Sequence, residues 1–248
     1  MSPTRNLTIV LSIIFAVFLS CSYFKKPYDI IIKSAKIVDG TGNPWYSADI
    51  GVKDGCITKI GMLNIEDGEK IINAEGFTAS PGYIDVHTHA DRKIISKPDA
   101  LNYLRQGVTT LVGGNCGSSI FPLEELFRKI EEQGTAVNFA SLCGHNTIRK
   151  IVLGEDDRKP EADELFKMKD LVRQDMQAGA LGLSTGLIYV PGCYAETEEI
   201  IELTKEIKPF GGIYVTHMRS EGKKIEYAVK EALTIGSKAG VRVEISHI

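Results

Sequence analysis

The sequence predicts an α/β protein in which a small β domain precedes part of a (β/α)8 barrel. Three observations predict it. Turn-punctuated runs of alternating polarity fill residues 28 to about 80. From residue 81 onward apolar strands alternate with helical stretches, and repeated strand–helix units specify a parallel sheet with right-handed crossovers. Side chains capable of chemistry (His87, His89, Cys116, His145, Ser184, His217 and His247) recur at or just after the strands' C-terminal ends. A barrel gathers these ends on one face, whereas an open doubly wound sheet spreads them along a crevice, so their number favours the barrel.

In chain order, MSPTRN and the uncharged LTIVLSIIFAVFLS form the charged and apolar regions of a secretory signal. The apolar run is shorter than the roughly 20 residues of a membrane span. Ser20 before Cys21 resembles a bacterial lipoprotein cleavage site, although Phe18 stands where a small aliphatic residue is usual. Residues 1–21 therefore read as a lipoprotein-type signal segment with Cys21 lipidated; an uncleaved anchor or a buried helix is the alternative. A membrane-anchored or exported protein of the bacterial cell envelope is expected. After the tether SYFKKP, the runs YDIIIKSAKIVDG, SADIGVKDGCITKIG and KIINAEGFTAS read as half-exposed antiparallel strands, with GTGNP and IEDGEK as turns. Six strands follow, in YIDVHTH, VTTLVGGNCG, AVNFASLCGHN, ALGLSTGLIY, GIYVTHMRS and VRVEISHI. Helical stretches separate them, and several close on a glycine C-cap.

The composition is ordinary for a globular protein, with 25% charged residues and a formal net charge of −3 over 248 residues. No polybasic block is present, so nothing electrostatic points to nucleic acid. Cys56, Cys116, Cys143 and Cys193 are widely spaced in a chain large enough for a hydrophobic core, unlike a disulfide scaffold.

The chain has five histidines and places two of them in PGYIDVHTHAD, residues 81–91. Residues i and i+2 of a strand face the same side, roughly 6–7 Å apart, so His87 and His89 can grip one cation. Asp85 points the same way, one step deeper. Cys116 sits in GGNCG, whose glycines permit sharp turns. A lone cysteine is more often a small buried apolar residue; beside a metal it is a thiolate ligand. His217 in YVTHMRSE and His247 in EISHI end the fifth and sixth strands, and each alone is as readily structural as ligating. As a set, imidazoles and a thiol suit Zn²⁺ over the oxygen-seeking Mg²⁺ or Ca²⁺. His145, in CGHN, ranks as pocket lining or a substrate contact.

The motifs PGYIDVHTHAD, GGNCG, GHNTIR, GLSTGLIYVPG, YVTHMRSE and ISH occur in that order. Together they resemble the N-acyl-D-amino-acid deacylases (D-aminoacylases) of the amidohydrolase superfamily, from about residue 28 to the last residue. The HxH pair alone indicates only the superfamily; NCG, STGLIYVPG and THMRSE are more specific. The resemblance implies a small β-sandwich over residues 28–80 and a partial amidohydrolase TIM barrel over residues 81–248. It implies a tight zinc held by Cys116, His217 and His247, with His87 and His89 at a second, weaker metal position that the cysteine can bridge. It places Tyr189 near the substrate. The implied reaction is hydrolysis of a small-molecule N-acyl-D-amino acid to a carboxylic acid and a D-amino acid.

In the family the proton-transferring carboxylate is an Asp after the eighth barrel strand. Six strands are read here, so that catalytic Asp is expected to be absent; Asp85 and Asp91 do not occupy its position. A truncated chain is expected to expose unpaired strand edges, to be poorly soluble alone, and to hydrolyse little unless a C-terminal fragment complements it. Two other functions are weighed. One is a cyclic-amide hydrolase of the hydantoinase or dihydroorotase kind, which shares HxH but not NCG or STGLIYVPG. The other is a non-catalytic remnant or ligand-binding envelope lipoprotein.

Overall fold

A computed structural model describes residues 25–247; the expected signal segment, residues 1–21, and Cys21 with it lie outside the described residues. The chain divides into two compact units between Pro81 and Gly82.

In the first unit, β1 (Tyr28–Ile37), β2 (Tyr46–Lys53), β3 (Cys56–Gly61) and β4 (Gly68–Asn73) form a sheet in the order β3-β2-β1-β4, and β5 (Thr78–Ala79) pairs with β1. β1–β2 and β2–β3 are antiparallel, but β4 and β5 run parallel to β1. The sequence predicts antiparallel strands throughout. Alternating polarity reports that one face is buried; it carries no information on strand direction. A bulge between Ile32 and Ala35 places Ser34 at φ +60° and lets buried Asp49 accept from Ser34 N at 2.8 Å, Leu63 N at 2.9 Å and Lys33 Nζ at 2.7 Å. Those three donors offset the cost of burying the carboxylate.

The second unit alternates strands and helices. β6 (Tyr83–Asp85) leads through α1 (Asp91–Ser96) and α2 (Leu101–Leu104) to β7 (Val108–Gly113). Next come α3 (Leu123–Gln133), β8 (Asn138–Ser141), β9 (Cys143–Gly144), α4 (His145–Leu153), α5 (Ala162–Gln177) and β10 (Gly182–Gly186). The unit ends with α6 (Thr197–Lys205), β11 (Ile213–His217), α7 (Ile225–Ala239) and β12 (Arg242–Ile245). All strand pairs are parallel, in the orders β6-β7-β8 and β9-β10-β11-β12. β8 and β9 are the two halves of one predicted strand, interrupted at Leu142. Leu142 N still donates to Gly113 O at 3.0 Å and Leu181 N to Ser141 O at 2.9 Å, so six strand positions run without a gap. This is part of a (β/α)8 barrel.

The helices bury apolar faces on these strands. Leu123, Leu126, Ile148, Met168, Val172, Leu183 and Leu203 form the main cluster. Helix ends are satisfied locally and at long range. Glu161 and Glu164 close a capping box on α5, and Leu123 N, at the start of α3, donates to Asp175 Oδ1 of α5 at 2.9 Å.

Candidate metal centre

The site grows from four strand ends. Past β6, Thr88 turns inward and is buried, with its N and Oγ1 both donating to Val112 O, at 3.0 and 2.9 Å. With Thr88 pinned, its neighbours His87 and His89 project to the other side. Asn115 Nδ2 donates to Val112 O at 3.0 Å and lies 3.3 Å from Val86 O, tying this segment to the turn after β7.

That turn presents Cys116 at φ +52°, a left-handed conformation that is rare for a residue with a side chain. The surrounding glycines are required by space. A Cβ on Gly114 would lie 2.1 Å from Leu142 O, and one on Gly186 2.2 Å from Cys116 O. Ser184 of β10 spans the turn, accepting from Gly117 N at 3.0 Å and donating to Gly114 O. A strained cysteine held this firmly marks a functional position better than a packing one.

His217 ends β11 and His247 follows β12. Cys116 Sγ is 3.4 Å from His87 Nε2, 3.8 Å from His217 Nδ1 and 3.7 Å from His247 Nε2. The rings of His217 and His247 are 4.5 Å apart, those of His87 and His247 4.9 Å. His89 stands farther out, its ring 5.5 Å from that of His87. Cys116, His87 and His247 thus bring their ligand atoms within 4.8 Å of one another, and His217, beside them, groups with His247 and Glu221. Glu221, which closes the YVTHMRSE motif and is assigned no role from sequence, has Oε1 2.8 Å from His247 Nδ1 and 3.6 Å from His217 Nε2. Its place four residues after His217, in HMRSE, was the available signal.

Burial holds His87 and His217 below the ordinary imidazole range, which keeps both rings in the neutral, ligating form near pH 7. Burial pushes the Cys116 thiol up, with the Glu221 charge adding to it, so a thiolate there calls for a cation. The spacing suits one. Tetrahedral zinc, with bonds of about 2.3 Å to sulfur and about 2.0–2.1 Å to nitrogen, needs S···N separations of about 3.5 Å. The separations from Cys116 Sγ, 3.4 Å to His87 and 3.7–3.8 Å to His247 and His217, lie at or slightly beyond that value, so the sulfur–nitrogen spacing suits the ion.

A 390 Å³ cavity adjoins the cluster, lined among others by His89, Cys116, Asn146, Lys150 and Tyr189. The Tyr189 ring lies 4.9 Å from that of His217. Asn146 secures the Tyr189 loop. Its Nδ2 donates to Gly186 O at 3.0 Å and Tyr189 O at 3.4 Å, while its Oδ1 accepts from Gly186 N at 3.2 Å. His145, expected as pocket lining or a substrate contact, is placed away from the cavity. It is fully buried, off the cavity wall, with Nε2 2.9 Å from Glu199 Oε1, which Arg149 Nε also contacts at 3.2 Å. As the first residue of α4 it turns into the helix layer, and its neighbour Asn146 faces the cavity instead. Asp91 is also buried; burial pushes its carboxyl up, and Ser141 Oγ lies 3.4 Å from its Oδ1.

A model of the amidohydrolase family matches residues 70–206. D-aminoacylase of Alcaligenes xylosoxydans xylosoxydans is 36% identical over 245 residues, which take in 90% of this chain and 51% of that protein. A crystal structure of D-aminoacylase, described as defining a novel subset of amidohydrolases, matches with a TM-score of 0.85 over 89% of this chain and 52% of that one. N-acyl-D-glutamate deacylase from Bordetella bronchiseptica, complexed with zinc and a phosphonate mimic of the reaction's tetrahedral intermediate, matches at 34% identity and a TM-score of 0.84. That match covers 88% of this chain and 51% of that one. The chain thus spans about half the length of the relatives it matches.

Proposed function

The chain belongs to the amidohydrolase family, and from that membership we propose that its strand-end cluster is the zinc centre of an enzyme that hydrolyses the linear amide of N-acyl-D-amino acids to a carboxylate and a D-amino acid. The observation that carries this reading is Cys116 Sγ standing 3.4–3.8 Å from three imidazole nitrogens on three separate strand ends. Cys116, His217 and His247 would hold the tight ion; His87 and His89 would serve a second, weaker position. Bound there, Zn²⁺ supplies Lewis acidity toward a carbonyl and acidifies water.

The chain's own residues supply binding and orientation. The cavity beside Cys116 is large enough for an amino acid with a short acyl group. Tyr189 offers a phenol at its wall, and Asn146 holds the loop that carries it. Lys150 offers the cavity a cation for a substrate carboxylate, although it already pairs with Glu155 at 2.6 Å. Neither Asp85 nor Asp91 is assigned the proton-transfer role: Asp85 Oδ1 accepts from His87 N at 3.2 Å, and Asp91 is buried beside Ser141.

The test is zinc stoichiometry together with product release from N-acyl-D-amino acids, their L enantiomers and hydantoins. About one tightly held zinc per chain, with D preferred over L and linear over cyclic amides, is the expected result at whatever absolute rate. Preference for hydantoins would replace this reading with the cyclic-amide one, and zinc without any turnover would favour a binding protein. For residues 1–21 we propose a lipoprotein-type signal placing the protein in the bacterial cell envelope. Radiolabelled palmitate should enter the wild type and not Cys21→Ser.

A further inference from the structure

Glu221 touches the remote edges of two imidazoles at once. Its Oε1 lies 2.8 Å from His247 Nδ1 and 3.6 Å from His217 Nε2. The opposite edges of the same rings, His247 Nε2 and His217 Nδ1, face Cys116 Sγ at 3.7 and 3.8 Å. The two rings therefore turn different nitrogens toward the thiol, one Nε2 and one Nδ1. A neutral imidazole can ligate only through the nitrogen that carries no proton, so these two histidines need opposite tautomers. Strand-end position alone does not select a tautomer; a hydrogen-bond acceptor on the far nitrogen does.

We propose that Glu221 is a positioning residue that sets opposite tautomers in His217 and His247 and so aims both lone pairs at one metal ion. This rests on the zinc-centre reading above. His217 Nε2 gives a second, independent sign: it is buried and lacks a hydrogen-bond partner. The half-exposed Glu221 carboxylate is only 3.6 Å away, and a shift of about half an ångström brings it within hydrogen-bonding range. One carboxylate would then accept from both rings. Its negative charge would also raise the basicity of both ligating nitrogens.

Glu221, His217 and His247 also lie close enough together for Glu221 itself to bind an ion, and the experiment separates that case. Zinc affinity of the full chain is measured by competition with a chromophoric chelator. Glu221→Ala should weaken it about 10- to 100-fold, the usual loss for an outer carboxylate, and Glu221→Gln, which keeps an acceptor oxygen, by less. The Co²⁺ absorption spectrum should keep its wild-type shape in both variants, because the ligand set is unchanged. Unchanged zinc affinity in Glu221→Ala, or a Co²⁺ spectrum showing a lost ligand, would overturn the proposal. A metal-free arm reads the tautomers directly by NMR of dilute, ¹⁵N-histidine-labelled protein. The wild type should carry the proton on His247 Nδ1 and His217 Nε2, and Glu221→Ala should mix the tautomers; identical tautomers in both would overturn the proposal. Should the wild type bind no zinc, the metal-centre reading fails while this arm still decides the role of Glu221. Where Glu221→Ala lowers the melting temperature of the metal-free chain, the comparison is made with Glu221→Gln.

Discussion

Cys116 concentrates the site's chemistry in one residue. Its φ of +52° is sustained by Gly114, Gly117 and the Ser184 hydroxyl, so the turn itself fixes the direction of the thiol. Cys116→Ser should therefore leave the turn intact and weaken zinc binding by more than about 100-fold, beyond the loss expected for an outer partner; chelator competition reads this directly. Glu199 makes the opposite kind of prediction. It is the carboxylate facing buried His145 and Arg149, so Glu199→Ala leaves a buried guanidinium without its counter-charge. That should cost about 3–5 kcal/mol in urea unfolding. Among the described candidates, His87, His89, Cys116, His217 and His247 were legible in the sequence because each stands where a predicted strand ends. Glu221 was not, since a loop glutamate looks like any solvated charge until two imidazoles are found against it. His145 also follows a strand, and sequence position does not say which way the first residue of a helix turns; the structure turns it toward Glu199.

Helices α3 and α5 share a device that only long-range packing explains. Asp175, near the end of α5, caps the first turn of α3 through Leu123 N, 52 positions away along the chain. Burial pushes the Asp175 carboxyl up to about 6, against the opposing effect of that hydrogen bond. A folded-state value above the unfolded one, about 3.9, means that the folded chain holds this proton more tightly. The stabilisation is full below about pH 4 and is lost as pH rises through about 6, roughly 3 kcal/mol in all. Asp175→Asn keeps a carbonyl for Leu123 N and removes the titration. Relative to wild type, the variant should gain stability between pH 5 and pH 8 in urea unfolding; parallel curves for the two proteins would refute this. At the same scale, the strand–helix alternation was legible from periodicity. The parallel course of β4 and β5 was not, because a period of two is the same in either direction.

Over the whole second unit, the parallel sheet is open among the described residues. β6 pairs only with β7, and β12 only with β11. Next to the first of these edges, Tyr83 is 63% exposed, Ile84 62% and Val86 52%. Parallel strands are usually covered on both faces, and an apolar open edge invites pairing with another chain. Concentration-dependent self-association is therefore expected in sedimentation velocity, with Ile84→Lys reducing it and leaving zinc affinity within about threefold of wild type, because position 84 is not among the ligating residues. A strictly monomeric wild type at all concentrations would contradict the prediction.

The amino-acid sequence by itself determined the order of elements, the partial barrel and the strand ends that carry the candidate ligands. It could do so because periodicity, glycine caps and an HxH pair are local patterns. The tertiary structure alone decided which of those side chains meet, which ring nitrogens face Cys116 and which carboxylate stands beside them. Convergence of residues as far as 160 positions apart, as His87 and His247 are (247 − 87), depends on how strands curve and side chains turn. Spacing along the chain does not record either.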